Sequence, residues 1–305
     1  MEKILYTKFS NQRNPKFCIR TDIVQTDAGR VVRKYPTEIA GKAHVMHMTD
    51  AYTALTTHFA DSKFKANKLI PGENYVEFEY LECETLEELL DSYLRSKNYD
   101  AFEKLMRDYA KRVRAVYATD IFESSEKFVS VFGERRFEGT LRGTCMSDID
   151  LVFSNILCNE DTWTVIDYEW TFDFLIPVDY ILWRSCMYYL NGAELRSKRY
   201  VIEDLCKFME IDMANAKNYE QMENHFQSEY CYKDVQALVH LYPKMGQPIN
   251  DNMGDFATML GRKNEELAQA RRHIEDIYHS TSWRVTKPIR KVSAIIKGEN
   301  RNNNK

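Results

Sequence analysis

The sequence predicts an α+β protein with two lobes, because a strand-rich first quarter gives way to a helix-rich remainder without regular strand–helix alternation. Two adjoining segments carry that expectation. Residues 75–80 read Tyr-Val-Glu-Phe-Glu-Tyr, the period-two alternation of a half-buried strand. Just beyond, Thr85 and Glu88 make a capping box ahead of Leu86, Leu89, Leu90, Tyr93 and Leu94 at helical spacing.

The other elements follow in order. Residues 3–36 read as strands, with a polar break at Ser10–Pro15 and a hairpin turn at Asp27-Ala28-Gly29, where glycine is free to take positive φ. Residues 37–59 read as a helix with Ile39, Ala43, Met46 and Leu55 as its apolar positions. A second long helix carries Phe102, Leu105, Met106, Tyr109, Val113 and Val116, and short strands are expected around Leu151–Leu157 and Trp163–Ile166. Met253, Leu260, Leu267 and Ile274 recur every seven residues, which fits either a surface helix or a short coiled coil. The expected divisions are a first lobe at 1–80, a second at 81–250, a helix or coiled coil at 251–278 and a basic tail at 279–305.

A net charge of −4 over 305 residues hides an asymmetry. Residues 279–305 hold seven Lys/Arg and one acid, Glu299, so this +6 tail leaves −10 on the rest. An acidic body excludes a nucleic-acid-binding core, which needs a basic face for phosphates. Seven cysteines occur singly, at 18, 83, 145, 158, 186, 206 and 231, with no CxxC pair. Buried thiols in a reducing compartment are expected rather than a disulfide framework. The start of the chain has no signal-peptide pattern and no stretch is apolar enough to span a membrane, so a cytoplasmic protein is expected.

The chemistry is concentrated between residues 148 and 179. Asp150 stands five residues before Asn155 in Asp-Ile-Asp-Leu-Val-Phe-Ser-Asn-Ile-Leu, and Asp167 closes the apolar run Val165-Ile166. Phosphoryl transfer uses this inventory: one carboxylate orients the attacking hydroxyl, while an Asn oxygen and a second carboxylate hold Mg²⁺. The plainer alternative is a polar turn between strands.

These residues resemble the aminoglycoside phosphotransferase and choline kinase family, whose fold is protein-kinase-like: a small antiparallel-sheet N-lobe and a mainly helical C-lobe. The match rests on Asp150, Asn155, Ile156 and Leu157, on the string Ile166-Asp167-Tyr168-Glu169-Trp170, and on Asp179, twelve residues beyond Asp167. Residues 78–86 are similar to the family's hinge between lobes. The resemblance implies an ATP- and Mg²⁺-dependent kinase. Asp150 would be catalytic, Asn155, Asp167 and Glu169 metal-binding, and Asp179 a support of the catalytic loop. Glu79 and Leu81 would contact adenine through their backbone. Lys34, at the end of Val31-Val32-Arg33-Lys34, is similar to the lysine that pairs with the phosphates, or else an ordinary strand-end lysine. Its acidic partner would be Glu38, with Asp50 the second candidate.

The sequence departs from the family at Asp148, which stands where the catalytic loop normally has His. A carboxylate there either accepts backbone amides instead or marks a site without turnover. Residues 10–15 contain no glycine, so no glycine-rich phosphate loop is legible. Glu169 is either a metal ligand or an ion-pair partner of Arg184.

The tail residues 279–290, His-Ser-Thr-Ser-Trp-Arg-Val-Thr-Lys-Pro-Ile-Arg, resemble a segment at the ends of bacterial surface-polysaccharide glycosyltransferases and methyltransferases. This implies polysaccharide-assembly enzymes as partners. One Trp within dense positive charge also suits an anionic bilayer surface, giving peripheral membrane contact; a solvated tail is the bland alternative. The leading expectation is a kinase for a hydroxyl of a small molecule or glycan in surface-polysaccharide synthesis. The competing one is a catalytically inactive kinase-like module that scaffolds assembly enzymes. A glycosyltransferase fits poorly, because the body shows no Rossmann-type alternation.

Overall fold

Residues 2–10, 13–159 and 161–231 are described by a computed structural model. The first strands, β1 (Lys3–Phe9), β2 (Ile19–Thr26) and β3 (Gly29–Pro36), run antiparallel to one another. Gly29 turns the β2–β3 hairpin with φ +133, the conformation that favours glycine. Two strands from further along, β5 (Leu69–Pro71) and β6 (Val76–Glu79), complete a five-stranded sheet in the order β1-β2-β3-β6-β5. The β3–β6 register sets Val32 opposite Phe78 and Lys34 opposite Val76. Val32 and Lys34 therefore share one face of the sheet.

Helix α1 (Lys42–His58) follows β3. It buries His44, Val45, Met48, Ala51 and Leu55, while Ile39 is 94% exposed and lies in a preceding 3₁₀ turn. The apolar face expected from the sequence was thus rotated: Leu55 is on it, Ile39 and Ala43 are not. Helix amphipathicity is weak here because a histidine occupies the inward face and threonines line the outer one.

A short strand, β4 (Phe64–Ala66), leaves the first sheet and pairs in parallel with β11 (Thr162–Val165), itself the partner of β10 (Ile156–Asn159). The first eighty residues thereby contribute a strand to the part that follows. That part is mainly helical. Helix α2 (Leu86–Arg95) starts at the Thr85–Glu88 capping box and buries Leu86, Leu90 and Leu94, each worth about 1.5–3 kcal/mol relative to exposure. Helix α3 (Tyr99–Tyr117) buries one face from Phe102 to Tyr117, and α4 (Glu126–Phe132) follows. Three small pairings, β7 (Asp120–Ile121) with β8 (Arg142–Thr144), β9 (Ser147–Asp148) with β12 (Thr171–Phe172), and β13 (Ile176–Pro177) with β8, stitch the loops together. Helix α5 (Val178–Gly192) is buried on nearly every side, from Val178 to Leu190, and is the centre of this half. Helices α6 (Glu194–Arg199), α7 (Ile202–Phe208) and α8 (Ala216–His225) surround it.

The α+β class, with an antiparallel sheet first and helices after, is the one expected. The expected segments 251–278 and 279–305, and the second lobe beyond residue 231, lie outside the described residues.

Candidate active site

Two loops are sewn side by side where the chemistry was expected. Asp148 in β9 pairs with Thr171 in β12, and the Ile149 amide donates to the Trp170 carbonyl at 3.2 Å. The Ile166 amide donates to the Asn155 carbonyl at 2.9 Å, continuing the β10–β11 hairpin. These bonds bring residues 148–155 against residues 166–170. Asp150, Asp167 and Glu169 each place a carboxylate oxygen within 4.8 Å of the others.

Each acid is held differently. Asp150 is buried and accepts from Arg184 Nη1 at 2.9 Å. Burial pushes its pKa up to about 6; Arg184 opposes that rise, and the nearby Asp167 and Glu169 add to it. Asp148 is wholly buried, and its Oδ1 accepts from the Asp150 backbone N–H at 2.9 Å, while Oδ2 has no partner among the described residues. Burial first, then the Asp150 charge, hold its carboxyl far above the ordinary range, so the neutral acid is favoured. Glu169 is buried too. Burial opposes its ionisation, yet Lys34 and Arg13 outweigh it and pull the pKa down to about 2. Its Oε1 accepts from Arg13 Nη1 at 2.7 Å, and Oε2 lies 3.8 Å from Lys34 Nζ and 3.9 Å from His44 Nε2. Burial lowers His44 to about 4, so the imidazole is neutral at pH 7.

Lys34 is nearly inaccessible and places Nζ 2.6 Å from Asp167 Oδ1. Burial disfavours its charge, but Asp167 and Glu169 more than compensate and raise its pKa. Its acidic partners are therefore these two residues, not Glu38 or Asp50. Glu38 lies past the end of β3, in extended backbone before the 3₁₀ turn, and Asp50 is exposed on α1. The inward position of α1 that faces the cluster belongs to His44.

Two further expectations differ. Glu169 does not pair with Arg184, which instead bridges Asp150 and Glu223 and donates to the Ile149 carbonyl at 2.6 Å. Asp179 sits in the first turn of α5 and pairs with Arg114 of α3 at 2.9 Å. The side chains of α5 that reach residues 149–151 are Arg184 and Ser185, whose Oγ donates to the Leu151 carbonyl at 3.0 Å. Arg13, His44 and Glu223 were not singled out for the site in the sequence, and Arg184 was placed against Glu169 rather than against Asp150 and Glu223.

Beside the acids a cavity of about 210 Å³ is lined by Val32, Phe78, Leu157 and Ile166 together with Lys34, Asn155, Asp167, Glu79 and Leu81. The Glu79 amide donates to the Lys68 carbonyl, and its carbonyl accepts from Asn67 Nδ2. Both backbone groups of Glu79 are thus engaged.

The donor set suits a hard divalent cation. It consists of carboxylate oxygens plus the Asn155 side chain, whose Nδ2 donates to the Asp150 carbonyl at 3.1 Å and turns its Oδ1 away from that bond. The buried Glu169 Oε2 accepts no hydrogen bond and faces Lys34 at ion-pair distance, so it has coordinating capacity.

No family model matches the sequence, and no curated protein matches it. Among solved structures, the chain is similar to ADP-bound aminoglycoside phosphotransferase APH(2'')-Ib, at 11% identity and TM-score 0.45 over 78% of this chain and 90% of that one. It is similar to the gentamicin complex of APH(2")-IIa at 11% identity and TM-score 0.45, over 80% and 88%. It is also similar to an ethanolamine kinase of Plasmodium vivax at 10% identity and TM-score 0.30, over 83% of each chain.

Proposed function

We propose that this chain is an ATP- and Mg²⁺-dependent phosphotransferase acting on a hydroxyl of a small molecule or glycan. The observation that carries the proposal is the Asp150/Asp167/Glu169 cluster, with Lys34 against Asp167 and both of these lining a cavity that Leu81 also lines. Asp167, Asn155 and Glu169 would hold the cation, which supplies charge neutralisation for the phosphates. Lys34 binds the phosphates once it leaves Asp167. Asp150 orients the acceptor hydroxyl and takes its proton as the acceptor oxygen bonds to the terminal phosphorus. The bond from that phosphorus to the bridging oxygen breaks, and ADP carries the electron pair away. A base with pKa about 6 is ionised at pH 7, as the step requires. Positioning and charge compensation supply most of the rate in such a loose transition state.

Asp148 supports an active site over a scaffold. Its Oδ1 fixes the amide of Asp150, so the loop is braced despite the absence of His. The glycan acceptor, the polysaccharide-assembly partners and the membrane contact rest on residues 279–305, outside the described part. Among the described residues, no helix is long and apolar enough to cross a membrane.

The test is a thermal-shift measurement with Mg·ATP, together with ATP turnover against a panel of sugars and amino alcohols. Binding and turnover that vanish in Asp167→Asn without unfolding support the kinase. Absence of both in wild type sinks it.

A further inference from the structure

The described residues between β1 and β2 bring Arg13 to the acidic cluster but are not built like a phosphate cradle. Such cradles present several backbone N–H groups, usually with glycine. Here the amides of Ser10, Asn14, Lys16, Phe17 and Cys18 are already engaged. Ser10 donates to the Ile19 carbonyl, Asn14 to Cys231, Phe17 to Asn14 and Cys18 to Pro15. The Lys16 amide donates to Asn14 Oδ1, and Pro15 has no N–H. The backbone at these positions has no donors to offer a phosphate.

What the loop does deliver is the guanidinium of Arg13. It reaches Glu169 Oε1 at 2.7 Å with its side chain only 20% exposed, and stands 5.5 Å from the centre of the Trp170 ring. Three cations neutralise the three acids of the cluster: Lys34, Arg13 and Arg184. Arg184 lies beneath, fixed by Glu223 and the Ile149 carbonyl. Lys34 and Arg13 approach from the sheet side, on long side chains. A divalent cation held by Asp167 and by Glu169 Oε2 would draw charge from the carboxylates that now hold Lys34 and Arg13, and would bring phosphate oxygens to that place. Charge compensation would then favour turning the two cations to the phosphates.

We propose that Arg13 is a phosphate-binding residue that exchanges Glu169 for the terminal phosphates of the nucleotide, doing with one side chain what a glycine-rich loop does with backbone amides. A planar guanidinium suits two phosphate oxygens at once. The inference rests on the phosphotransferase reading, and the experiment separates their failures.

Isothermal titration of the full chain would compare β,γ-imido-ATP with AMP, both with Mg²⁺, in wild type, Arg13→Ala and Arg13→Lys. Arg13→Ala is expected to weaken β,γ-imido-ATP by about 10- to 100-fold, the range of one or two charge-assisted hydrogen bonds, and AMP by less than about twofold. Arg13→Lys restores part of the loss. Unligated melting curves show whether each variant is folded. If Arg13→Ala binds β,γ-imido-ATP as tightly as wild type, the inference is overturned. Equal weakening of both nucleotides also overturns it, because Arg13 then only holds Glu169 and the loop in place. If wild type binds neither nucleotide, the phosphotransferase reading fails and takes the inference with it.

Discussion

Lys34 Nζ and Asp167 Oδ1 meet at 2.6 Å across 133 residues of sequence, joining the third strand of the sheet to the end of the β10–β11 hairpin. This pair couples the two halves of the site before any ligand arrives. Lys34 is buried, whereas the Asp167 side chain is 31% exposed, so the contribution lies between the surface and buried limits, at about 2 kcal/mol. Lys34→Met is expected to lower Tm by about 4–8 °C. It should also abolish the added stabilisation by Mg·ATP. A variant that melts like wild type and still responds to nucleotide would remove Lys34 from the site.

Asp150 carries a cost that its proposed role as base requires. Its folded pKa of about 6 lies above the unfolded 3.8, so between those pH values the folded state binds more protons and stability falls as pH rises. Asp150→Asn is therefore expected to be more stable than wild type at pH 7, by up to about 3 kcal/mol, with the advantage shrinking to nothing near pH 4. Activity runs the other way: kcat/KM of wild type falls about tenfold per unit below pH 6, as the base is protonated. Paired melting curves at pH 4, 5, 6 and 7 check the first expectation. A constant offset between the two proteins would show that Asp150 ionises normally.

What was legible in the sequence was local. Asp150 and Asn155, and the apolar run before Asp167, are read within one loop or one strand, and the Thr85–Glu88 box within one turn. The partners of those residues were not legible. Arg13 reaches Glu169 over 156 positions, Lys34 reaches Asp167 over 133, and Arg184 reaches Asp150 over 34. Nothing in the spacing of an isolated arginine says which carboxylate it will meet. Asp179 was assigned to the catalytic loop by its distance from Asp167, yet the helix starting at Val178 turns it toward Arg114. Around α1 the expected inward positions Ile39 and Ala43 are exposed, and His44, Val45 and Met48 are buried in their place.

Asp148 tests whether a neutral group suffices in place of the missing His. Burial already favours its protonated form, and its one engaged oxygen accepts from the Asp150 amide. Asp148→Asn keeps that acceptor and removes the need to bury a charge, so it is expected to stay within about 1 kcal/mol of wild type in stability. Asp148→Ala leaves the Asp150 amide unsatisfied and is expected to cost about 1–3 kcal/mol. Chemical denaturation of both measures the contrast. Equal destabilisation by the two would mean that the charge, not the acceptor, is what the loop uses.

Arg184 is the residue on which the buried electrostatics converge. One nitrogen serves the Ile149 carbonyl and Asp150, at 2.6 and 2.9 Å, and another serves Glu223 at 2.9 Å. Arg184→Met leaves two carboxylates without their cation in the interior, which is expected to cost about 3–5 kcal/mol. Glu223 retains donors in that variant, since Tyr180, Tyr188 and Gln227 all reach it. Neutralising it with Glu223→Gln should therefore recover part of the loss, with a coupling of about 0.5–3 kcal/mol between the two sites. Arg184→Lys restores the charge but not the planar fork that spans four acceptors, so it should fall between wild type and Arg184→Met. Urea denaturation of the four variants closes the cycle. Additive losses would show that Arg184 and Glu223 act independently, and that Asp150 alone depends on the arginine.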